Sequence, residues 1–130
     1  MQMRTDAITV TLGIYSGRPN PSLELSGPEA EELASLVKKA IEGEPSSPPP
    51  AAKLGRFYGF QVRTPPDLQK RLGLPPEFNV HSGVLSEKRG REIRHWRDVA
   101  SLGQFLVGHA LRRDYGQLLA KVGVETGPTK

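Results

Sequence analysis

Ile8-Thr9-Val10-Thr11-Leu12-Gly13-Ile14-Tyr15 leads through Ser16-Gly17-Arg18-Pro19-Asn20-Pro21 into Ser22-Leu23-Glu24-Leu25. This run decides the fold. Ile8, Val10, Leu12 and Ile14 alternate with Thr9, Thr11, Gly13 and Tyr15, the period of a half-buried strand. Leu23 and Leu25 continue a shorter strand, so a long hairpin is the simplest connection. Ser26-Gly27-Pro28-Glu29 then reads as a capping box with proline in the first helical turn. Leu33, Leu36, Val37, Ala40 and Ile41 form one helical stripe that ends near Gly43.

Beyond this opening, residues 44–52 are rich in proline and serine, and Pro48-Pro49-Pro50 favours polyproline II. They read as a solvent-exposed internal linker. Arg56–Arg63, with Phe57, Tyr58 and Phe60, reads as a strand. Thr64-Pro65-Pro66-Asp67 opens a short helix, and Gly73 followed by Pro75 ends it. Phe78–Leu85 and Arg91–Arg97 pair as a second hairpin, turned at Glu87-Lys88-Arg89-Gly90. Asp98 caps the last helix, whose apolar side is Val99, Leu102, Phe105, Leu106, Ala110, Leu118 and Leu119. Gly103, Gly108 and Gly116 permit close packing on the sheet or a break near Asp114-Tyr115-Gly116. The expected architecture over residues 1–130 is a single α+β domain. It has a mainly antiparallel sheet of four to five strands, two main helices and one short helix.

The 130-residue chain carries a net charge of +4, with 36% hydrophobic residues and no cysteine. Without cysteine there are no disulfides, thiolate metal sites or thiol catalysis. No apolar run is long enough to span a membrane. Met1-Gln2-Met3-Arg4-Thr5-Asp6 leads into alternating residues rather than an apolar block, so no secretory signal is expected and the cytoplasm is the default location. Charge is unevenly placed. Residues 1–50 hold four basic and seven acidic side chains, whereas residues 51–130 hold fourteen and seven. That asymmetry suits anionic partners or head-to-tail self-association.

The Ser16–Pro21 loop is the candidate working surface. Its two prolines fix their own φ and hold the preceding residues extended, so the backbone that carries Arg18 and Asn20 is stiff. Arg18 offers a planar fork of donors suited to a carboxylate or phosphate, and Ser16 and Asn20 add hydrogen-bonding groups. The alternative role for Arg18 is a tie to a structural carboxylate or to loop carbonyls.

Tyr15-Ser16-Gly17-Arg18-Pro19-Asn20-Pro21, with Leu23 and Leu25 and the helix after them, resembles the opening of a family of small, largely uncharacterised microbial proteins. Tyr58-Gly59-Phe60-Gln61-Val62 is similar to that family's second recurring segment. The resemblance covers the first half of the chain. The tryptophan that members carry near Leu23 is absent. The resemblance implies no catalytic residue.

Other constellations point to chemistry less strongly. His81, His95 and His109 recur every fourteen residues, but two fall on strands and one on a helix, so the spacing has no geometric meaning. No metal site and no cofactor are expected. Ser82 follows His81, and strand neighbours point to opposite faces, so His81 is not expected to serve as its base. No nucleophile elbow, Walker loop or dinucleotide-binding glycine motif occurs. Lys88, Arg89, Arg91, Arg94 and Arg97 surround Trp96, a combination that can grip single-stranded nucleic acid. Strand alternation puts Glu92, Arg94 and Trp96 on one face and Arg91, Ile93, His95 and Arg97 on the other. A solubilising edge hairpin is therefore the favoured reading.

These observations lead to the expectation of a small non-catalytic binding or accessory module. It would recognise an anionic group on a protein, peptide or metabolite through Ser16, Arg18 and Asn20. The alternatives are a small enzyme that combines Arg18 with a histidine, and a weak nucleic-acid binder that uses the 87–97 hairpin. Self-association is a further option, and no membrane partner is expected.

Overall fold

The computed structural model describes residues 7–14, 20–48, 59–98 and 101–121. β1 (Ala7–Leu12) is the hub of the sheet. It pairs antiparallel with β2 (Ser22–Ser26) on one side and with β3 (Phe60–Arg63) on the other. Both neighbours of β1 run opposite to it, so β2 and β3 are parallel to each other. The chain between them includes α1 (Pro28–Ile41).

From β3 the sheet continues as an antiparallel meander through β4 (Glu77–His81), β5 (Val84–Arg89) and β6 (Glu92–Arg97). The strand order is β2-β1-β3-β4-β5-β6. α2 (Pro66–Leu72) joins β3 to β4, and α3 (Leu102–Arg112) and α4 (Gly116–Lys121) follow β6. The α+β class is as expected, but there are six strands and four helices among the described residues, not four to five and three.

The extra strand comes from a tight turn. Ser82 and Gly83 adopt φ +51° and +75°, the left-handed pair of a type I′ hairpin, and split the expected Phe78–Leu85 strand in two. The next turn falls at Gly90-Arg91, where Gly90 has φ +61°, and not at Glu87–Gly90. β5 therefore runs on to Arg89. The extra helix comes from the break near Asp114, which has φ +65° and separates α3 from α4.

One face of the sheet is apolar. Leu23 and Leu25 of β2, Ile8, Val10 and Leu12 of β1, Phe60 and Val62 of β3, Phe78 and Val80 of β4, and Leu85 of β5 are cross-strand neighbours, and all are buried. Leu33 and Val37 of α1, Leu68 of α2, Leu102 and Leu106 of α3, and Leu119 of α4 complete the same core. On the opposite face Thr9, Thr11, Gln61, Arg63, Asn79, Ser86 and Lys88 are half-buried or exposed, and only the strand-end residues Ala7 and Val84 are buried there among the described residues. A one-sided antiparallel sheet alternates in this way when helices cover only one face.

α1 starts without the expected capping box. Ser26 belongs to β2 and has strand geometry, and Gly27 makes the turn at φ +56° with no side-chain cap. Glu29 is turned instead toward α3. α3 begins at Leu102, after Ser101 at φ +58°, rather than directly after Asp98, and Val99 lies outside the described residues. Asp98 still supplies the cap from upstream. The Asp98 carboxylate accepts the Leu102 and Gly103 amide N–H groups at 2.7 and 2.9 Å, and Asp98 N–H donates to the Gly83 carbonyl.

Both sheet edges are covered in part. On β2, residues 21, 23 and 25 pair with β1, so the Ser22 and Glu24 carbonyls point outward. Tyr115 Oη donates to the first at 3.0 Å and Arg113 Nη2 to the second at 2.8 Å. On β6, Ser46 N–H donates to the His95 carbonyl and Arg97 N–H to the Glu44 carbonyl, with Pro45 opposite Trp96. The start of the expected spacer thus lies against an edge strand. Residues 49–52 are outside the described residues.

Candidate functional site

Residues 16–19 of the Ser16–Pro21 loop, Ser16 and Arg18 among them, lie with residue 15 outside the described residues. The foot of the loop is defined. Leu12 N–H donates to the Pro21 carbonyl at 2.9 Å, and Ile14 N–H donates to Asn20 Oδ1 at 3.0 Å. Asn20 is therefore a brace whose acceptor turns inward, and it closes the loop at its base. Gly13 N–H donates to the Gly59 carbonyl, which continues β1–β3 pairing to the same end of the sheet. Gly59 has φ +116°, and its backbone lies so close to Asn79 that a Cβ there would overlap Asn79 Oδ1.

The topology brings His81, Ser82 and Arg97 to this same end. β4 is two strand spacings from β1, about 10 Å. Burial holds the His81 imidazole below the usual histidine range. Ser82 Oγ lies 3.3 Å from His81 Nε2, contrary to the strand-alternation argument, because Ser82 is a turn residue and its side chain folds back.

The basic hairpin does not present one positive face. Arg94 and Trp96 align with Glu87 and Leu85 on the helix-covered side, and Trp96 Nε1 donates to Glu87 Oε1 at 3.3 Å. Lys88 and Arg97 lie on the open side, and Arg97 faces Glu44 at 3.8 Å. Arg89 ends β5 opposite Glu92, and Arg91 sits in the turn.

The open side carries features that the sequence reading missed. Thr11, Gln61, Asn79, Ser86 and His95 form a polar row across five successive strands. Ser86 Oγ and His95 Nδ1 are 2.8 Å apart. A second row runs Thr9, Arg63, Glu77, Lys88, Ile93, with Arg63 Nε 3.3 Å from Glu77 Oε1. A shallow groove of about 300 Å³ lies over these rows, and an adjoining hollow of about 320 Å³ occupies the β3–α2 corner. Arg63, Glu77 and Lys88 line both. Finding these rows from sequence requires the register of every hairpin, and the Ser82-Gly83 turn was the missing signal.

His109 lies away from both ends, in the seam between α1 and α3. It is 4% exposed, packs edge-on against Phe105, and has Nδ1 3.4 Å from Glu29 Oε2 without a hydrogen bond. His109 is thus a buried residue whose Nδ1 has no hydrogen-bond partner. Burial pushes its imidazole below the usual range. No group of three or more metal-ligating side chains converges among the described residues, and none of their helices is long and apolar enough to cross a membrane. No protein-family model, curated protein or solved structure matches the chain.

Proposed function

We propose that this chain is a small non-catalytic binding module that engages an anionic group on a protein, peptide or metabolite through the Ser16–Pro21 loop, with Arg18 as the recognising side chain. The observation that carries this reading is the Ile14–Asn20 brace at the foot of the loop. A loop closed at its base and stiffened by Pro19 and Pro21 loses little conformational freedom on binding. Arg18 then contributes charge-assisted, forked hydrogen bonds to a carboxylate or phosphate. In this reading Asn20 positions the loop, and Arg18 makes the contact.

The test is amide and arginine side-chain NMR of the full chain, titrated with acetate, inorganic phosphate and a phosphoserine peptide. Saturable shifts should centre on residues 14–21, disappear in Arg18→Ala and recover only partly in Arg18→Lys. Unmoved loop resonances with all three probes would overturn the reading, as would unfolding of Arg18→Ala.

The small-enzyme alternative draws on one observation. The end of the sheet that bears this loop also bears His81, whose imidazole burial favours as the neutral base.

A further inference from the structure

The β3–α2 corner brings a buried hydroxyl without a partner, three prolines and a charged rim to one hollow. Thr64, just after β3, is 5% exposed, and both its backbone groups are engaged. Its N–H donates to the Pro76 carbonyl, and its carbonyl accepts from Gln69 Nε2 at 2.8 Å. Its hydroxyl is buried and has no hydrogen-bond partner among the described residues. A buried hydroxyl left unpaired is costly, and a ligand group that reaches Oγ1 would remove that cost. Thr64 lines the 320 Å³ hollow together with the rings of Pro65, Pro66 and Pro76. Those rings are rigid and cannot donate a backbone hydrogen bond, so they form a fixed apolar wall.

The rim of the hollow is charged. Arg63 and Glu77 pair at 3.3 Å, and Lys88, directly across from Glu77, has no ion-pair partner among the described residues. The three together leave one positive charge in excess. That excess matches a single negative charge, whereas a dianion would crowd Glu77. A cavity of about 150 Å³ is enough to hold a benzene-sized ring, so the hollow has room for such a ring and a charged head.

We propose that this corner is a binding site for a small organic monocarboxylate with an apolar body, seated on the proline wall with its carboxylate toward Lys88 and the Thr64 hydroxyl. The site is at the opposite end of the sheet from the Ser16–Pro21 loop and stands independently of any role for that loop.

The probe is phenylacetate, titrated into the full chain and followed by amide NMR. Phenylacetamide, acetate and phenyl phosphate are the comparators. Saturable shifts are expected at Thr64, Lys88 and Gly90. Phenylacetate should bind at least about threefold tighter than phenylacetamide, as one exposed charge contact allows, and tighter than acetate and phenyl phosphate. Thr64→Val, which keeps the shape of the side chain, should weaken binding about fivefold, the value of one hydrogen bond. Lys88→Gln lies at an exposed position and should weaken it about threefold. Shifts that fail to saturate or fall elsewhere would overturn the proposal, as would equal binding of phenylacetamide. Tighter binding of phenyl phosphate would overturn the carboxylate assignment. Parent-like affinity in both variants would also reject the site.

Discussion

Glu87 accepts the Trp96 indole N–H across the β5–β6 ladder, on the side of the sheet that faces the helices. The carboxylate is 1% exposed. A buried acid survives only when its oxygens are satisfied. Glu87→Ala should therefore cost about 1–3 kcal/mol, and Glu87→Gln, which keeps an acceptor, should cost less. Trp96 is the chain's one tryptophan, so its fluorescence reports the site without interference. Urea titrations followed by that emission will decide the matter. Equal stability of Glu87→Ala and the parent would reject the role of the pair.

Asp98 holds the first turn of α3 through two amide hydrogen bonds. Asp98→Ala should destabilise the fold by about 1–2 kcal/mol, with Asp98→Asn intermediate. A loss within about 0.5 kcal/mol, typical of plain surface changes, would show that the cap is dispensable.

His109 makes stability depend on pH. Burial is the leading cause of its lowered pKa. The Arg112 and Arg113 charges act in the same direction, and Glu29 and Glu32 oppose them. With the folded value below the unfolded value of 6.5, the unfolded state binds the proton first as pH falls. The stabilisation is complete above that value and declines as pH drops below it. His81 is shifted in the same direction, so the comparison must isolate one histidine. Chemical denaturation of the parent and of His109→Gln between about pH 7.5 and 5.5 should give a shallower pH slope in the variant. Identical slopes would remove His109 from the account.

Gly59 is required by its surroundings. Gly59→Ala should destabilise by more than about 1 kcal/mol, because φ +116° disfavours a side chain and the new Cβ meets Asn79. Adding Asn79→Ala should recover part of that loss, which a double-mutant cycle by thermal melting would read as coupling. Strict additivity would mean that the conformation alone sets the cost.

Most of the fold was legible in the sequence because its signals are local. The alternation of Ile8, Val10 and Leu12, the stripe of Leu33 and Val37, the proline pair before α2 and the acid before α3 each need only a short window. The β4–β5 turn, which the reading of Phe78–Leu85 as one strand passed over, leaves only a parity trace. Phe78 and Val80 bury even-numbered positions, whereas Leu85 buries an odd one, and a turn with an even number of residues reverses the count. The reversal was obscured because the next inward residue is Glu87, which reads as a surface residue when its indole partner is unknown. The open-face rows, the Thr64 corner and the His109 seam depend on contacts between distant segments, and no local window contains them.

The guarded edges restrict how copies of this protein can meet. Strand addition is the usual route by which open sheets polymerise into fibrils. An incoming strand at β2 finds the Ser22 and Glu24 carbonyls already occupied. At β6 it has only the Glu92–Arg94 stretch before it reaches the Glu44–Ser46 segment, and Pro48, just beyond that segment, has no amide to extend the pairing. Ordered oligomers of this domain are therefore expected to form through its faces rather than along its hydrogen-bond ladder. Their fibre diffraction should lack the meridional strand-spacing reflection of cross-β fibrils.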